Sequence, residues 1–140
     1  MNIRIATNAD FEWLKEHDNY ISVETLHKKV EDKHILIIYD RELIGWLRYG
    51  LFWDNIPFMN LIYLLEEYRG KGIGKILVEY WENSMKEKGY HNVITSTQSN
   101  ENAQHFYRKI GYTDIGGFII PGIQKELEIL LIKNLTTAST

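Results

Sequence analysis

The chain has 140 residues, 44% hydrophobic, 25% charged and 13% aromatic, a composition that fits one compact domain with its own core. It contains no cysteine, which excludes disulfide frameworks, Cys-ligated zinc, iron–sulfur clusters and thiol nucleophiles and permits a reducing compartment. Its 16 basic and 19 acidic residues sum to a charge of -3, so it lacks the dense basic face of a nucleic-acid coat or of a protein drawn to an anionic membrane.

Met1 to Thr7 alternates polar and apolar residues without the basic segment, apolar run and cleavage site of a signal peptide. No stretch reaches the ~18 apolar residues of a membrane span. The expectation is a cytoplasmic protein with a single domain over 1–135 and a short polar tail over 136–140. Asn2 to Ala6 predicts a strand, and Thr7 with Asp10 three residues on predicts a helix start before Phe11, Trp13 and Leu14. Ser22 can cap a second helix that places Val23, Leu26 and Val30 near one face. Ile35 to Tyr39 and Leu43 to Leu51 predict a hairpin across the polar turn Asp40, Arg41, Glu42, and Phe58 to Leu65 predicts another strand.

From Gly72 the period lengthens. Ile73, Ile76, Leu77, Tyr80 and Trp81 recur at three- and four-residue spacing, Glu82 stands four residues before Lys86, and Gly89 follows as a helix stop. Val93 to Thr97 predicts a strand, Asn100 to Lys109 a helix with Gly111 just past its end, and Glu126 to Lys133 a closing strand. Antiparallel strands followed by strand, helix, strand, helix, strand imply an α/β fold with a mixed, mostly antiparallel sheet and a parallel pair near its middle.

The segment from Leu64 to Lys75 carries the most chemistry. A strand runs into a turn holding Gly70, Gly72 and Gly74, which opens a long helix and is flanked by Arg69, Lys71 and Lys75. Such a turn aims unpaired N–H groups along a helix dipole and lets a phosphate approach the backbone, although glycines there can also serve only to permit positive φ. The P-loop pattern fails: Gly74-Lys75 is followed by Ile76 in place of the magnesium-binding hydroxyl, and the position five residues before Gly74 is Arg69. The dinucleotide pattern G-x-G-x-x-G fails as well, because Gly70, Gly72 and Gly74 are spaced by two throughout.

Arg69-x-x-Gly72-x-Gly74 resembles the coenzyme A pyrophosphate signature of the GNAT (Gcn5-related N-acetyltransferase) family. Some 30 residues later, Asn100-x-x-Ala103-x-x-x-Tyr107-x-x-x-Gly111-Tyr112 resembles that family's N-x-x-A-x-x-x-Y-x-x-x-G-[FY] segment. The order of elements is similar too, so the resemblance covers essentially the whole chain. It implies two splayed central parallel strands, with the pantetheine arm of acetyl-CoA paired to backbone groups of Ile62, Tyr63, Leu64 and Leu65. It further implies a pyrophosphate on the N–H groups of Arg69, Gly70, Lys71, Gly72, Ile73, Gly74 and Lys75, a cofactor contact at Asn100, and Tyr107 as general acid at the thioester sulfur. Read on its own, Tyr107 joins Ala103, Phe106 and Ile110 in an i, i+3, i+4, i+7 stripe that equally suits a core ring, and Asn100 equally suits a helix cap.

The implied reaction is direct attack of an amine on acetyl-CoA. The acceptor is a small-molecule or protein amine, neither nucleic acid nor membrane is a partner, and monomer and homodimer both stay open. A non-catalytic acyl-CoA-binding domain is the alternative. Many relatives place a glutamate base in the strand before the glycine turn, but Phe58 to Leu65 has no carboxylate. Asp54, Glu66 and Glu67 are nearby choices, and Glu24 or His27 on the second helix could line an acceptor pocket, each equally a solvated surface group. In the aromatic segment, Tyr49 and Trp53 could clasp a cationic amine, with Glu24 and Asp54 as further acceptor contacts, or the rings could simply pack a half-buried hairpin. His17, His27, His34, His91 and His105 show no paired metal spacing, so no metal is expected.

Overall fold

Alternating apolar residues at the start of the chain and two β-branched runs after it build an antiparallel ladder. In the computed structural model, which describes residues 1–136, β1 (Asn2–Ile5) pairs with β2 (Ile35–Asp40), and β2 pairs with β3 (Glu42–Phe52). Four further strands, β4 (Ile56–Leu64), β5 (Asn92–Gln98), β6 (Thr113–Phe118) and β7 (Glu128–Asn134), complete a seven-stranded sheet of order β1-β2-β3-β4-β5-β7-β6. Residues 137–140 of the expected tail lie outside the described residues. The described chain divides into two compact units, residues 1–50 with 61–81 and residues 51–60 with 82 onward.

In the first unit the cap read at Thr7 forms: the Ala9 N–H donates to Thr7 Oγ1 at 3.3 Å and the Thr7 N–H to Asp10 Oδ2 at 2.8 Å. A 3-10 turn over Asn8–Asp10 leads into α1 (Phe11–His17), and Ser22 caps α2 (Val23–Glu31) by accepting the Thr25 N–H. Ala6, Leu14, Leu26, Val30, Ile35, Ile37 and Trp46 form the core between these helices and strands. The residue ending α1 is fastened by charge: the buried Asp18 carboxylate accepts Arg48 Nε at 2.7 Å and Trp46 Nε1 at 3.1 Å. The β2–β3 turn is tighter than expected, because Asp40 and Glu42 pair and only Arg41, at φ +71°, lies outside the strands.

The second unit holds the parallel pair. There β4 and β5 pair parallel through Phe58↔Ile94 and Met59↔Thr95, while β5 and β7 pair antiparallel from Asn92↔Asn134 to Gln98↔Glu128. The expected mixed sheet with its parallel neighbours near the middle is therefore observed. Strand β6 was not anticipated. All six of its residues are exposed and Gly116-Gly117 interrupts it, so neither alternation nor an apolar run marks it. Pairing with β7 creates it, across a register shift between Asp114 and Gly116.

The helix expected over 100–109 is shorter. It spans Ala103–Lys109 (α4), because Ser99 and Glu101 turn before it and both give their carbonyls to Gln104 Nε2, at 2.7 and 2.9 Å. Asn100 thus lies in a turn, and Asn102 occupies the cap position without making a side-chain cap bond.

Candidate active site

The glycine turn belongs to the first unit. After β4, Glu66–Tyr68 makes one 3-10 turn, and α3 (Ile73–Glu87) begins five residues later. Gly70 and Gly72 adopt φ of +73° and +82°, and a Cβ at either would meet no atom within 4 Å, so both are needed for conformation and both face open space. Gly74 differs: it lies in the first turn of α3 and has no positive φ. The Ile76 N–H donates to Gly72 O at 3.3 Å, so the N–H groups of Ile73, Gly74 and Lys75 precede the helix's internal ladder. The first turn of this 15-residue helix contains no acid. Open space, free N–H groups and the positive end of the dipole together fit an anionic phosphate ligand.

The flanking cations have separate roles. Arg69 donates Nε to Leu64 O at 2.8 Å, its guanidinium lies 4.9 Å from the Tyr63 ring centre, and its N–H closes the 3-10 turn on Glu66 O at 3.1 Å. Arg69 therefore staples the turn to the strand end, and its N–H is not free for a phosphate. Lys71 Nζ sits 5.9 Å from the Tyr68 ring centre and Lys75 Nζ 3.9 Å from Glu79, with the Lys75 side chain largely exposed. Ile62, Tyr63, Leu64 and Leu65 are all half-buried. Beside them Gly45 is required for close approach, since a Cβ there would stand 2.6 Å from Tyr63 O.

Tyr107 belongs to the second unit, on α4. It is 6% exposed, with the rings of Phe106 and Tyr112 at 5.4 and 5.6 Å. Burial pushes its hydroxyl up to about 12; a side-chain hydrogen bond with Thr95 works in the opposite direction, and the charge of Glu101 adds to the rise. The phenol is thus neutral across physiological pH and keeps a proton to donate. Just beyond α4, Tyr112 donates its hydroxyl to Glu82 Oε2 at 2.8 Å, and Lys133 Nζ reaches Glu82 Oε1 at 2.9 Å. Burial, together with the Glu82 carboxylate, raises the Tyr112 hydroxyl far above its ordinary range.

Sequence reasoning paired Glu82 with Lys86, four residues on, and so missed this network. The buried line on α3 runs Ile73, Leu77, Val78, Trp81, Glu82, Met85, while Ile76 and Tyr80 are exposed. Glu82 stands four residues after Val78 and three before Met85, and that spacing was the available signal.

The acceptor candidates scatter. Tyr49 is 3% exposed and packs against His34 at 4.7 Å and Trp81 at 5.8 Å, which makes it a core ring and not an exposed clasp. Trp53 is 75% exposed and, with Asp54, forms the β3–β4 turn at φ +55° and +58°, closed by Asn55 N–H to Phe52 O at 3.0 Å. Glu24, Asp54, Glu66 and Glu67 are all exposed, so no carboxylate among them shows the buried setting that tunes a general base. His27 rests edge-on to Phe11 at 5.4 Å. Among the described residues no cluster of three or more His, Asp or Glu side chains could hold a metal, and no helix is long and apolar enough to cross a membrane.

The Acetyltransferase (GNAT) family model matches residues 2–112. The chain belongs to the GNAT family. Membership makes it an N-acetyltransferase whose acyl donor is acetyl-CoA. Related sequences include the protein YyaT of Bacillus subtilis (strain 168), 30% identical over 112 residues that cover 80% of this chain and 72% of that one. The [ribosomal protein bS18]-alanine N-acetyltransferase of Haemophilus influenzae is 26% identical over 82 residues, 59% of this chain and 56% of that protein. In fold, the chain matches the structure of yncA from Salmonella typhimurium with its cofactor acetyl-CoA, at TM-score 0.81 and 16% identity, over 100% of this chain and 96% of that one.

Proposed function

We propose that this GNAT enzyme acetylates a primary amine of a small molecule or a protein by direct attack of the amine on acetyl-CoA, with Tyr107 as the general acid. The observation that carries the catalytic half of this reading is the Tyr107 phenol, buried and held neutral to about 12. A departing coenzyme A thiolate has a conjugate-acid pKa of roughly 8.5, below that of the phenol, so the hydroxyl serves as a hydrogen-bond donor to the sulfur and passes its proton on only as the proton released by the amine replaces it. The amine lone pair forms the new C–N bond as the C–S bond breaks, and the products are an amide and the free thiol.

In this reading acetyl-CoA supplies the activated acyl group and the chain holds it. Its pyrophosphate rests on the N–H groups of Gly70 to Lys75, with Gly70 and Gly72 giving close approach. Its pantetheine arm pairs with backbone groups of Ile62 to Leu65, which are half-buried at the end of β4. Asn100 contacts the cofactor from its turn before α4. A protein acceptor is supported by the Haemophilus relative, named for acetylating an alanine of a ribosomal protein, and the exposed Trp53, Asp54 and Glu24 remain available to an acceptor.

Coenzyme A release across a broad amine panel tests the reading, preceded by thermal shifts with acetyl-CoA, coenzyme A and ATP. Acetyl-CoA and coenzyme A should raise the melting temperature while ATP does not, and at least one amine should release coenzyme A well above the rate of hydrolysis. Stabilisation by acetyl-CoA without turnover of any amine would favour a non-catalytic acyl-CoA-binding domain.

A further inference from the structure

We infer that Glu82 and Tyr112 are positioning residues for Tyr107, forming with Lys133 a buried clamp on the end of α4; the inference rests on the reading of Tyr107 as general acid. Three of the clamp's contacts converge on the last turn of that helix. The Tyr112 N–H donates to Tyr107 O at 3.0 Å, and the two rings meet edge to face at 5.6 Å, so Tyr112 touches both the backbone and the side chain of Tyr107. Lys133 Nζ donates to Ile110 O at 2.8 Å, satisfying a carbonyl at the helix end that has no partner within the helix.

Glu82 joins these contacts. Only 6% exposed, its carboxylate accepts the Tyr112 hydroxyl at 2.8 Å and Lys133 Nζ at 2.9 Å, which fixes the tilt of the Tyr112 ring and the reach of the lysine together. Gly111, at φ +107°, leaves the lysine its path: a Cβ there would stand 3.2 Å from Lys133 Cε. The G-[FY] end of the second motif therefore has a physical purpose in this chain.

Stability is a poor reason for such a group. A buried carboxylate and a half-buried ammonium lose hydration that an apolar trio of similar volume would not, so ionic clusters of this kind are often neutral or worse for folding. What they supply is direction. Helix α4 has seven residues and no side-chain bond at its cap position, and two turns do not hold themselves in place. A proton donor displaced by ~1 Å can lose up to about 100-fold in rate.

The test is a double-mutant cycle. Tyr112→Phe keeps the ring and removes the hydroxyl; it is measured alone and in a Tyr107→Phe background, for single-turnover rate with one good amine and for acetyl-CoA affinity by calorimetry. The expected result is a loss of about 5- to 20-fold in rate with affinity within about twofold, shrinking below about twofold once Tyr107 is already phenylalanine. Glu82→Gln retains an acceptor for the Tyr112 hydroxyl and should lose less than Glu82→Ala. Equal losses in both backgrounds, or no loss on Tyr112→Phe, would overturn the positioning role while leaving Tyr107 as acid. Full activity of Tyr107→Phe alone would instead overturn the general-acid reading, and this inference with it.

Discussion

Gly72→Val separates the cofactor role of the glycine turn from its structural role. Gly72 sits at φ +82° with no atom within 4 Å of a built Cβ, so valine there meets strain but no clash. Left-handed backbone costs an L-residue about 1–2 kcal/mol, somewhat more when β-branched, against a typical stability of about 5–15 kcal/mol, and the protein should stay folded. The side chain would fill the open space assigned to the pyrophosphate. If two charge-assisted N–H bonds of about 1.5 kcal/mol each are lost, affinity falls by roughly 100-fold. Gly89 supplies the control: at φ +95° it has equally open surroundings but lies at the far end of α3. Gly89→Val should lower the melting temperature to a similar degree and leave acetyl-CoA binding intact. Calorimetric titration with scanning calorimetry on both variants reads the two effects apart. A folded Gly72→Val protein with unchanged acetyl-CoA affinity would refute the pyrophosphate assignment.

Lys71→Gln and Lys75→Gln should each weaken coenzyme A modestly and flatten the dependence of its affinity on ionic strength, whereas Arg69→Gln should weaken it with little change in that slope, because Arg69 holds Leu64 O; titrations from low to high salt compare the three. Burial pushes the folded-state Tyr107 hydroxyl up to about 12 from its ordinary value of about 10, so its contribution is fully present below pH 10 and is lost as pH rises toward 12, by about 3 kcal/mol at most. Urea unfolding of Tyr107→Phe should accordingly show a shallower stability loss over pH 10–12 than the parent. Asp18→Ala strands Arg48 in the first unit's core and should cost about 3–5 kcal/mol in the same assay.

What the sequence revealed and what it hid divide along physical lines. Caps and glycine spacing act locally, so Thr7, Ser22 and the turn before α3 could be read from neighbours three residues away. The strand, glycine turn and helix start from β4 to α3 were legible for the same reason, since they are contiguous. Strand β6 was hidden because its own residues neither alternate nor bury, and its pairing with β7 alone creates it. Glu82 was hidden because its partners lie 30 and 51 residues away, while Lys86, one turn along the helix, offered a local partner. Tyr49 misled for a related reason: an aromatic residue on a strand reads alike whether its ring faces a ligand or Trp81.

The most direct measurement of the central claim is the single-turnover rate of acetyl transfer by Tyr107→Phe, taken by rapid quench with a saturating acceptor whose chemistry limits turnover. Phenylalanine keeps the buried ring and removes only the proton donor, so the account predicts unchanged acetyl-CoA affinity and a rate lower by about 100-fold or more. A Tyr107→Phe enzyme that transfers acetyl at the parent rate would contradict it, and a fall in melting temperature alongside that full rate would leave Tyr107 as a core ring.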